Sequence, residues 1–174
     1  MGLKLELGCG KKPTPGYLTN DLTQESDIPG NAWEIVFESK FDEIIALALM
    51  EHFTKEQFIK TLHNVYELLD LDGCFVFDVP NLEMWFQYYI DYCNGKDIPT
   101  DIDHIKRTIF GHYRWPGDEH KWGWNPKELK EELQKVGFKY IDISDTAECW
   151  IKRGIKRGRF NEPWNAHYYV ECKK

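Results

Sequence analysis

Two closely spaced glycines follow an acidic residue near the start of the chain. The segment is Glu6-Leu7-Gly8-Cys9-Gly10. It completes a short apolar run, residues 3–7, which predicts a β-strand. Glycine lets the backbone turn sharply and lets a ligand approach closely, because no Cβ intervenes. The Glu6 carboxylate suits a ligand ammonium or hydroxyl at the carboxyl end of a parallel strand, where open α/β sheets bind ligands. The pattern therefore predicts a site for a compact, cationic ligand that carries a nucleoside.

Bulk composition restricts the class of protein. The 174 residues carry a formal net charge of −7, so a general attraction to nucleic-acid backbones is not expected. The five cysteines are scattered without a C-x-x-C pair, which is typical of reduced thiols in a cytoplasmic protein. The sequence shows no signal peptide and no apolar stretch of membrane-spanning length. We expect a single cytoplasmic domain without nucleic-acid or membrane partners.

Short apolar runs alternate with helical patterns, and this alternation predicts an α/β fold with mostly parallel strands. The run at residues 41–48 is apolar on both faces, as a central parallel strand should be. The predicted strands are residues 3–7, 17–20, 33–37, 41–48, 75–79, 138–143 and 166–172. The final hairpin, residues 138–172, permits one antiparallel strand near the end of the chain.

Capping signals locate the first predicted helix. Thr54 and Gln57 form a capping-box pair, and apolar residues recur behind them at helical spacing. We expect this helix to end at a turn formed by residues 71–73, because Asp-Gly is a strong turn signal.

Two further helices are predicted in the second half of the chain. Residues 82–93 show a helical pattern that is rich in aromatic side chains. Residues 95–125 show no clean period, and we expect them to be irregular. The last predicted helix has Asn125 as N-cap and Pro126 in its first turn, and Gly137 ends it.

Several motifs occur in an order that resembles one known family. They are Leu5-Glu6-Leu7-Gly8-Cys9-Gly10, Gly16-Tyr17, Asn20-Asp21-Leu22, Phe41-Asp42-Glu43-Ile44-Ile45, Met50-Glu51-His52-Phe53, Val79-Pro80-Asn81 and His120-Lys121-Trp122-Gly123-Trp124. The set resembles the class I S-adenosylmethionine-dependent methyltransferases, in particular a small, type 11-like branch. The resemblance implies an α/β, Rossmann-like three-layer sandwich whose seven-stranded sheet is mostly parallel with one antiparallel strand. It also implies one domain over residues 1–174, with acceptor-side insertions around residues 95–125 and 148–165.

Two departures from the family pattern are visible. The third glycine of larger relatives is absent, because Pro13 stands in its place. A nicotinamide cofactor needs that glycine and a helix N-terminus to bind its pyrophosphate, so this departure disfavours a dehydrogenase. The family's usual Lys-Pro-Gly-Gly turn is replaced by Leu71-Asp72-Gly73.

The resemblance implies S-adenosyl-L-methionine as the cofactor. The residues that it places around the cofactor are Glu6, Leu7, Gly8, Cys9, Gly10, Asp21, Leu22, Asn31, Leu47, Ala48 and Leu49. A carboxylate at the position of Asp21 can accept both ribose hydroxyls, although a loop-capping aspartate is the alternative. Asn31 is the candidate for the adenine side, and it suits a turn beside Gly30 equally well.

Candidate catalytic and acceptor-binding residues follow from the irregular segment and its surroundings. Methyl transfer needs at most one base to take the acceptor's proton, and His52 and His120 are the candidates. His112, Tyr113 and Trp122 are candidate acceptor contacts.

A basic cluster precedes the last strand, and two of its members, Arg153 and Arg157, are candidates for an anion-binding rim. A solvated loop is the alternative for this cluster. The spacing of His112, Asp118 and His120 is not a known ligand pattern, so no metal site is predicted.

These residues favour an S-adenosylmethionine-dependent methyltransferase that acts on oxygen or nitrogen of a small-molecule acceptor, either anionic or saccharide-linked. The alternative is a non-catalytic module that binds S-adenosylmethionine and regulates or scaffolds another enzyme. The sequence makes no prediction about the oligomeric state.

Overall fold

The computed structural model describes residues 2–155 and 166–174, in which seven strands form one sheet of order β3-β2-β1-β4-β5-β7-β6. The strands are β1 Lys4–Leu7, β2 Leu18–Asp21, β3 Ile28–Pro29, β4 Phe41–Ala46, β5 Leu69–Pro80, β6 Tyr140–Ser144 and β7 His167–Lys173. Strands β1 to β5 pair in parallel, whereas β7 runs antiparallel to both β5 and β6. The predicted sheet, mostly parallel with one reversed strand, is confirmed.

Helices cover the sheet unequally on its two faces. The described helices are α1 Lys55–Leu68, α2 Leu82–Cys93, α3 Ile102–Phe110, α4 Pro126–Val136 and α5 Glu148–Ile151, with a short 3₁₀ helix at Met50–His52. The larger core packs α1 and α4 against one face of the sheet. On the other face, Trp150 of α5 packs with Ile45, Val76 and Tyr169. None of the described helices combines the length and apolar character that crossing a bilayer requires.

The caps at the start of α1 and at both ends of α4 lie where the sequence predicts them. Thr54 Oγ1 accepts a hydrogen bond from the Gln57 backbone N–H at 3.3 Å, and Gln57 Oε1 accepts one from the Thr54 N–H at 3.0 Å. Asn125 caps the start of α4, and Gly137 ends it with a φ of 120°. These reciprocal bonds satisfy backbone groups that a helix end leaves unpaired.

Two predicted element boundaries are wrong. Residues 33–37 form no strand, and Ile28–Pro29 takes the third position by pairing with β2. Residues 71–73 lie inside β5 rather than in a turn, because Leu69 already pairs with Phe41 of β4. The register between these strands shifts after Phe41, and Asp72 adopts a φ of 64°. Pairing with β4 therefore outweighs the local turn preference.

The segment predicted to be irregular, residues 95–125, contains helix α3. Asp101 is its N-cap and accepts a hydrogen bond from the His104 N–H at 2.7 Å. Ile105 and Ile109 pack with Trp85 of α2 in a small separate core. This helix has an apolar stripe only two or three residues long, which is too short to stand out as a period in the sequence.

Candidate functional site

The carboxyl ends of β1, β2 and β4 lie side by side in the sheet. We call them, with residues 8–10, 21–22 and 47–49 that end or follow them, the glycine edge. Gly8 and Gly10 have φ values of 59° and 56°, a conformation that glycine adopts without steric cost. A Cβ added at Gly10 would meet no protein atom within 4 Å. The backbone at Gly10 therefore faces space that a ligand can enter.

Two carboxylates order the loop that carries these glycines. Asp21 Oδ2 accepts a hydrogen bond from the Gly10 N–H at 2.9 Å, and its Oδ1 accepts none from the described residues. Glu6 is only 1% exposed, and its Oε2 accepts the Thr14 N–H. Asp21 thus presents one oxygen at the edge, whereas the structure uses Glu6 to fix the loop. A direct contact between Glu6 and a ligand stays a prediction.

The segment after β4 closes over the first glycine. A Cβ on Gly8 would lie 2.6 Å from Leu49 Cδ1, so any larger residue at this position would displace the end of the Leu49 side chain. Ala48 is exposed with a φ of 48°, and its N–H donates to Asp78 Oδ1 at 2.9 Å. Leu47, next to Ala48 in the chain, packs against the core that contains Trp150. The predicted cofactor wall, residues 47–49, lies at this edge.

The remaining predicted cofactor residues divide into backbone and side-chain contributors. Leu7 and Cys9 are buried, so they would reach a ligand only through their backbone. Leu22 projects from the edge with 73% of its surface exposed. The Asn31 amide donates to Glu34 Oε2 at 2.8 Å. The structure therefore supports the turn alternative for Asn31, and its adenine role stays a prediction.

A cleft of about 320 Å³ opens at the carboxyl end of β5, beside the glycine edge. Its lining, which we call the aromatic cleft, consists of Pro80, Leu82, Ile109, Phe110, His120, Lys121, Trp122 and Gly123. His120 and Trp122 are predicted acceptor-side residues that the structure brings together here. His112 and Tyr113 do not line the cleft, and Tyr113 is 68% exposed. The predicted acceptor role of these two residues has no support from the geometry.

The tightly packed loop between Gly111 and His120 supplies one wall of this cleft. Gly111 forms an antiparallel bridge with Glu119, and the His120 N–H donates to the Phe110 carbonyl at 3.1 Å. A Cβ at Gly111, where φ is 96°, would lie 2.5 Å from the Asp118 carbonyl oxygen. The Asp118 carboxylate is fully engaged by Arg114, whose Nε and Nη2 both donate at 3.0 Å. Asp118 is therefore a structural residue of the loop.

Two histidines meet where this loop reaches the 3₁₀ helix after β4. The rings of His52 and His120 are 5.0 Å apart between centroids. His52 Nδ1 lies 3.2 Å from the Glu119 carbonyl oxygen, and His120 Nδ1 lies 2.7 Å from that of Thr108. Burial lowers the pKa of both imidazoles, that of His120 to about 4 with a further contribution from His52. Both side chains are therefore neutral at pH 7.

Glu51 is a site residue that the sequence interpretation missed. It is 3% exposed, and burial, followed by the neighbouring Asp78 carboxylate, raises its pKa above the ordinary value. Asp78 also lies 2.9 Å from His167 Nδ1 through its Oδ2. The available signal was its position directly before His52, in a turn that follows a buried strand.

The predicted anion-binding role of Arg153 is wrong. Its side chain is only 11% exposed and contacts Glu43 at 2.5 Å and Glu171 at 3.2 Å. The guanidinium also donates to the Cys149 carbonyl oxygen at 2.7 Å. Arg153 thus links β4 to β7 over the face of the sheet and does not line the aromatic cleft. Arg157 lies outside the described residues, so its predicted role stays a prediction.

Solved structures resemble this fold over its whole length. A methyltransferase from Archaeoglobus fulgidus aligns with a TM-score of 0.60 and 17% identity, over 98% of this chain and 85% of that chain. A glycopeptide N-methyltransferase with bound S-adenosylhomocysteine aligns with a TM-score of 0.61 and 14% identity, over 99% and 83%. The chain has the fold of the class I S-adenosylmethionine-dependent methyltransferases.

A third methyltransferase shares this fold with both of its ligands in place. The 1,6-didemethyltoxoflavin-N1-methyltransferase of Burkholderia thailandensis, solved with 1,6-didemethyltoxoflavin and S-adenosylhomocysteine, has a TM-score of 0.57 and 16% identity. The alignment covers 99% of this chain and 71% of that chain. No protein-family model matches the sequence, and no curated protein does. The likeness to methyltransferases is therefore one of fold.

Proposed function

We propose that this protein is an S-adenosylmethionine-dependent methyltransferase that acts on an oxygen or nitrogen atom of a small acceptor. The observation that carries the proposal is the junction of the two sites. The glycine edge and the aromatic cleft lie at the same end of the sheet: the Ala48 N–H bonds Asp78 of β5, two residues before Pro80, which lines the cleft. A donor bound at the first site and an acceptor bound at the second would therefore be neighbours, and such proximity supplies much of the rate of a two-substrate reaction.

The residues of the glycine edge fit the cofactor. S-adenosylmethionine, when bound, supplies a methyl group that its sulfonium makes electrophilic. The open space above Gly10 admits the ligand, and Asp21 Oδ1 is the oxygen that would accept its ribose hydroxyls. The exposed Leu22 offers an apolar surface for the flat adenine base. No phosphate-binding helix N-terminus follows the glycines, and this cofactor needs none.

The acceptor would lie in the aromatic cleft. Phe110 and Trp122 give the cleft an apolar surface, and Lys121, whose ammonium pairs with Glu119 at 3.3 Å, adds a hydrogen-bond donor that suits an anionic or saccharide-linked acceptor. His120 lies at the wall with an unprotonated ring nitrogen, so it is placed to take the proton that the acceptor loses, although its pKa of about 4 makes it a weak base. Two of the solved neighbours are named as N-methyltransferases of small or peptide-derived molecules, and this supports the same acceptor class here.

A pair of measurements tests this proposal. Calorimetric titration of the chelator-treated protein with S-adenosylmethionine should show one binding site. An assay with a labelled methyl group, run over a panel of phenols, amines, sugars and carboxylates, should then find transfer to at least one of them. Cofactor binding without any transfer would instead support the alternative, a non-catalytic binding module. Absence of cofactor binding would contradict both.

The five cysteines bear on where the protein works. All five are free thiols, and only Cys93 is exposed. Free thiols are the usual state in a reducing compartment, and this supports a cytoplasmic location as part of the proposal.

A further inference from the structure

Three side chains from distant parts of the sequence converge behind the aromatic cleft. Glu51 and His52 belong to the 3₁₀ helix after β4, and His120 belongs to the loop that lines the cleft. One carboxylate oxygen and one ring nitrogen from each histidine all lie within 4.8 Å of one another. Two imidazoles and a carboxylate are the protein ligands found in many catalytic zinc sites.

Both histidines make the hydrogen bond that metal-bound histidines usually make. The Nδ1 atoms of His52 and His120 lie against the carbonyl oxygens of Glu119 and Thr108. A carbonyl can only accept a hydrogen bond, so each Nδ1 carries the proton and each Nε2 keeps its lone pair. Metal-bound histidines characteristically donate the other ring N–H in this way, which fixes the tautomer and the ring orientation.

Glu51 provides an independent observation at the same place. Its side chain is 97% removed from solvent, and Oε2 has no hydrogen-bond partner among the described residues. A buried polar atom without a partner is costly, and such atoms in folded proteins usually indicate a missing water, ion or ligand. A cation at this position would supply that partner.

The backbone holds the three residues in a fixed relation. The Lys121 N–H donates to the Glu51 carbonyl at 2.9 Å, and the Glu119 carbonyl faces His52. The residues on both sides of His120 thus contact Glu51 and His52, two of the three residues of the 3₁₀ helix. A tetrahedral site with ligand distances of about 2.0–2.2 Å needs ligand atoms roughly 3.4 Å apart. Side-chain rotations that bring the atoms about an ångström closer would complete such a site.

We propose that Glu51, His52 and His120 bind a divalent first-row transition-metal ion, with Zn²⁺ as the best match to the donor set. Imidazole nitrogen suits zinc, copper, iron and nickel, whereas magnesium and calcium prefer a shell of oxygen ligands. Three protein ligands leave at least one coordination position open, which is the pattern of catalytic rather than structural zinc sites. Because His120 lines the cleft, an ion held by these residues would lie close to an acceptor bound there.

The role of the ion rests on the proposed function, whereas the site itself does not. An acceptor hydroxyl or carboxylate bound to the ion would be held next to the glycine edge. A metal ion lowers the pKa of a bound hydroxyl, so the proton would leave to solvent. His120 would then act as a ligand, and the ion would replace it as the group that activates the acceptor.

Metal titration of the cofactor-free protein tests the site without any assay of methyl transfer. Chelator-treated protein should bind one equivalent of Zn²⁺ by calorimetry, and Co²⁺ in its place should give the visible absorption of a low-symmetry site. Glu51→Gln keeps the shape of the side chain, and we expect it to weaken Zn²⁺ binding at least about 100-fold, since even changes to residues behind the ligands cost 10–100-fold. His52→Ala and His120→Ala should lose binding to a similar extent.

Matched controls separate this site from adventitious binding. Glu56→Gln and His63→Ala change exposed residues of the same types on helix α1, and their Zn²⁺ affinity should equal that of the wild type. Cys93→Ser removes the exposed thiol and should also leave the affinity unchanged. Failure of the wild type to bind either ion, or binding that survives Glu51→Gln, would overturn the proposal. Circular dichroism of Glu51→Gln confirms that loss of binding is not loss of fold.

Discussion

The glycine edge and the aromatic cleft lie at the same end of the sheet, but they are assembled in different ways. The glycine edge is built largely from one early stretch, in which the loop after β1 carries Gly8 and Gly10, and the Gly10 N–H bonds Asp21 at the end of the adjacent strand β2. The cleft joins the end of β5, two helices and a loop, so that Pro80 and His120 become neighbours. A site of the first kind appears in the sequence as a motif. A site of the second kind appears there only as unconnected residues.

The largest expected effect concerns Arg153, which the sequence interpretation places on the acceptor side and the structure places in a buried ion-pair network. We expect Arg153→Ala to destabilise the fold by up to about 3 kcal/mol, because Glu43 and Glu171 would lose the buried cation that they share and keep only the more exposed Lys4 and Lys152 as charged partners. Thermal and urea denaturation measure this change. Cofactor and acceptor affinity should fall together as folded protein is lost.

A neighbouring lysine is the control for that substitution. Lys152 also pairs with Glu171, but its side chain is 58% exposed, so Lys152→Ala should cost at most about 1 kcal/mol. If Arg153→Ala kept its melting temperature and raised only the acceptor KM, Arg153 would belong to the acceptor site and not to a structural ion-pair network.

The next effect tests the close packing of the glycine edge. Gly8→Val should reduce S-adenosylmethionine affinity by at least about 100-fold, because a branched side chain collides with Leu49 and resists a positive φ. Gly8→Ala and Gly16→Ala separate these causes. Both positions have positive φ, but a Cβ at Gly16 meets no atom within 4 Å. Calorimetry should show strong loss for Gly8→Ala and near-normal binding for Gly16→Ala; equal affinities would mean that the contact with Leu49 is unimportant.

Asp21 tests which carboxylate of the glycine edge faces the ligand. Asp21→Ala should weaken cofactor binding more than tenfold with the fold intact, since a charge-assisted hydrogen bond contributes about 1.5–3 kcal/mol. Asp27→Ala is the comparison, because Asp27, in the loop after β2, accepts hydrogen bonds from the N–H and hydroxyl of Thr19 in that strand. The reverse order of affinities in titration would move the ribose contact to Asp27.

The smallest effect distinguishes residues that line the cleft from those that do not. Trp122→Ala should raise the acceptor KM by up to about tenfold, as expected for the loss of one aromatic contact. Cofactor affinity should not change. Tyr113→Ala, outside the cleft, should leave both quantities as in the wild type. An effect of Tyr113 equal to that of Trp122 would show that the acceptor binds along the outer face of the loop.

The sequence predicts correctly those features that residues close together in the chain determine, and it fails for features that depend on contacts with distant parts of the chain. The capping box at Thr54 and the end of α4 at Gly137 are formed by residues a few positions apart, and both predictions are confirmed. The turn predicted at residues 71–73 fails, because strand pairing with β4 overrides a local preference. Helix α3 was not predicted, because its apolar stripe is short and the residues that it packs against lie on α2.

The same principle applies to the site residues. Asp21 and the glycines are recognisable because their neighbours in space are also near neighbours in the chain. The role of Arg153 depends on Glu43, which is more than a hundred positions away in the chain. Because the sequence does not reveal that contact, the basic segment was expected to be exposed to solvent. Glu51 was not predicted for a similar reason. Its carboxylate lies near other possible ligand groups only because the fold brings His120, from the other half of the chain, next to it.

The network around Arg153 also constrains how this protein can evolve. Because the guanidinium joins Glu43 on one strand to Glu171 on another, losing any one of the three weakens the charge balance of the buried network, whereas exchanging all of them for apolar residues of similar volume need not be harmful. Substitutions at these three positions are therefore expected to occur together during evolution. In relatives of this chain, positions 43, 153 and 171 should change as a set, and that correlation would be readable without any structure.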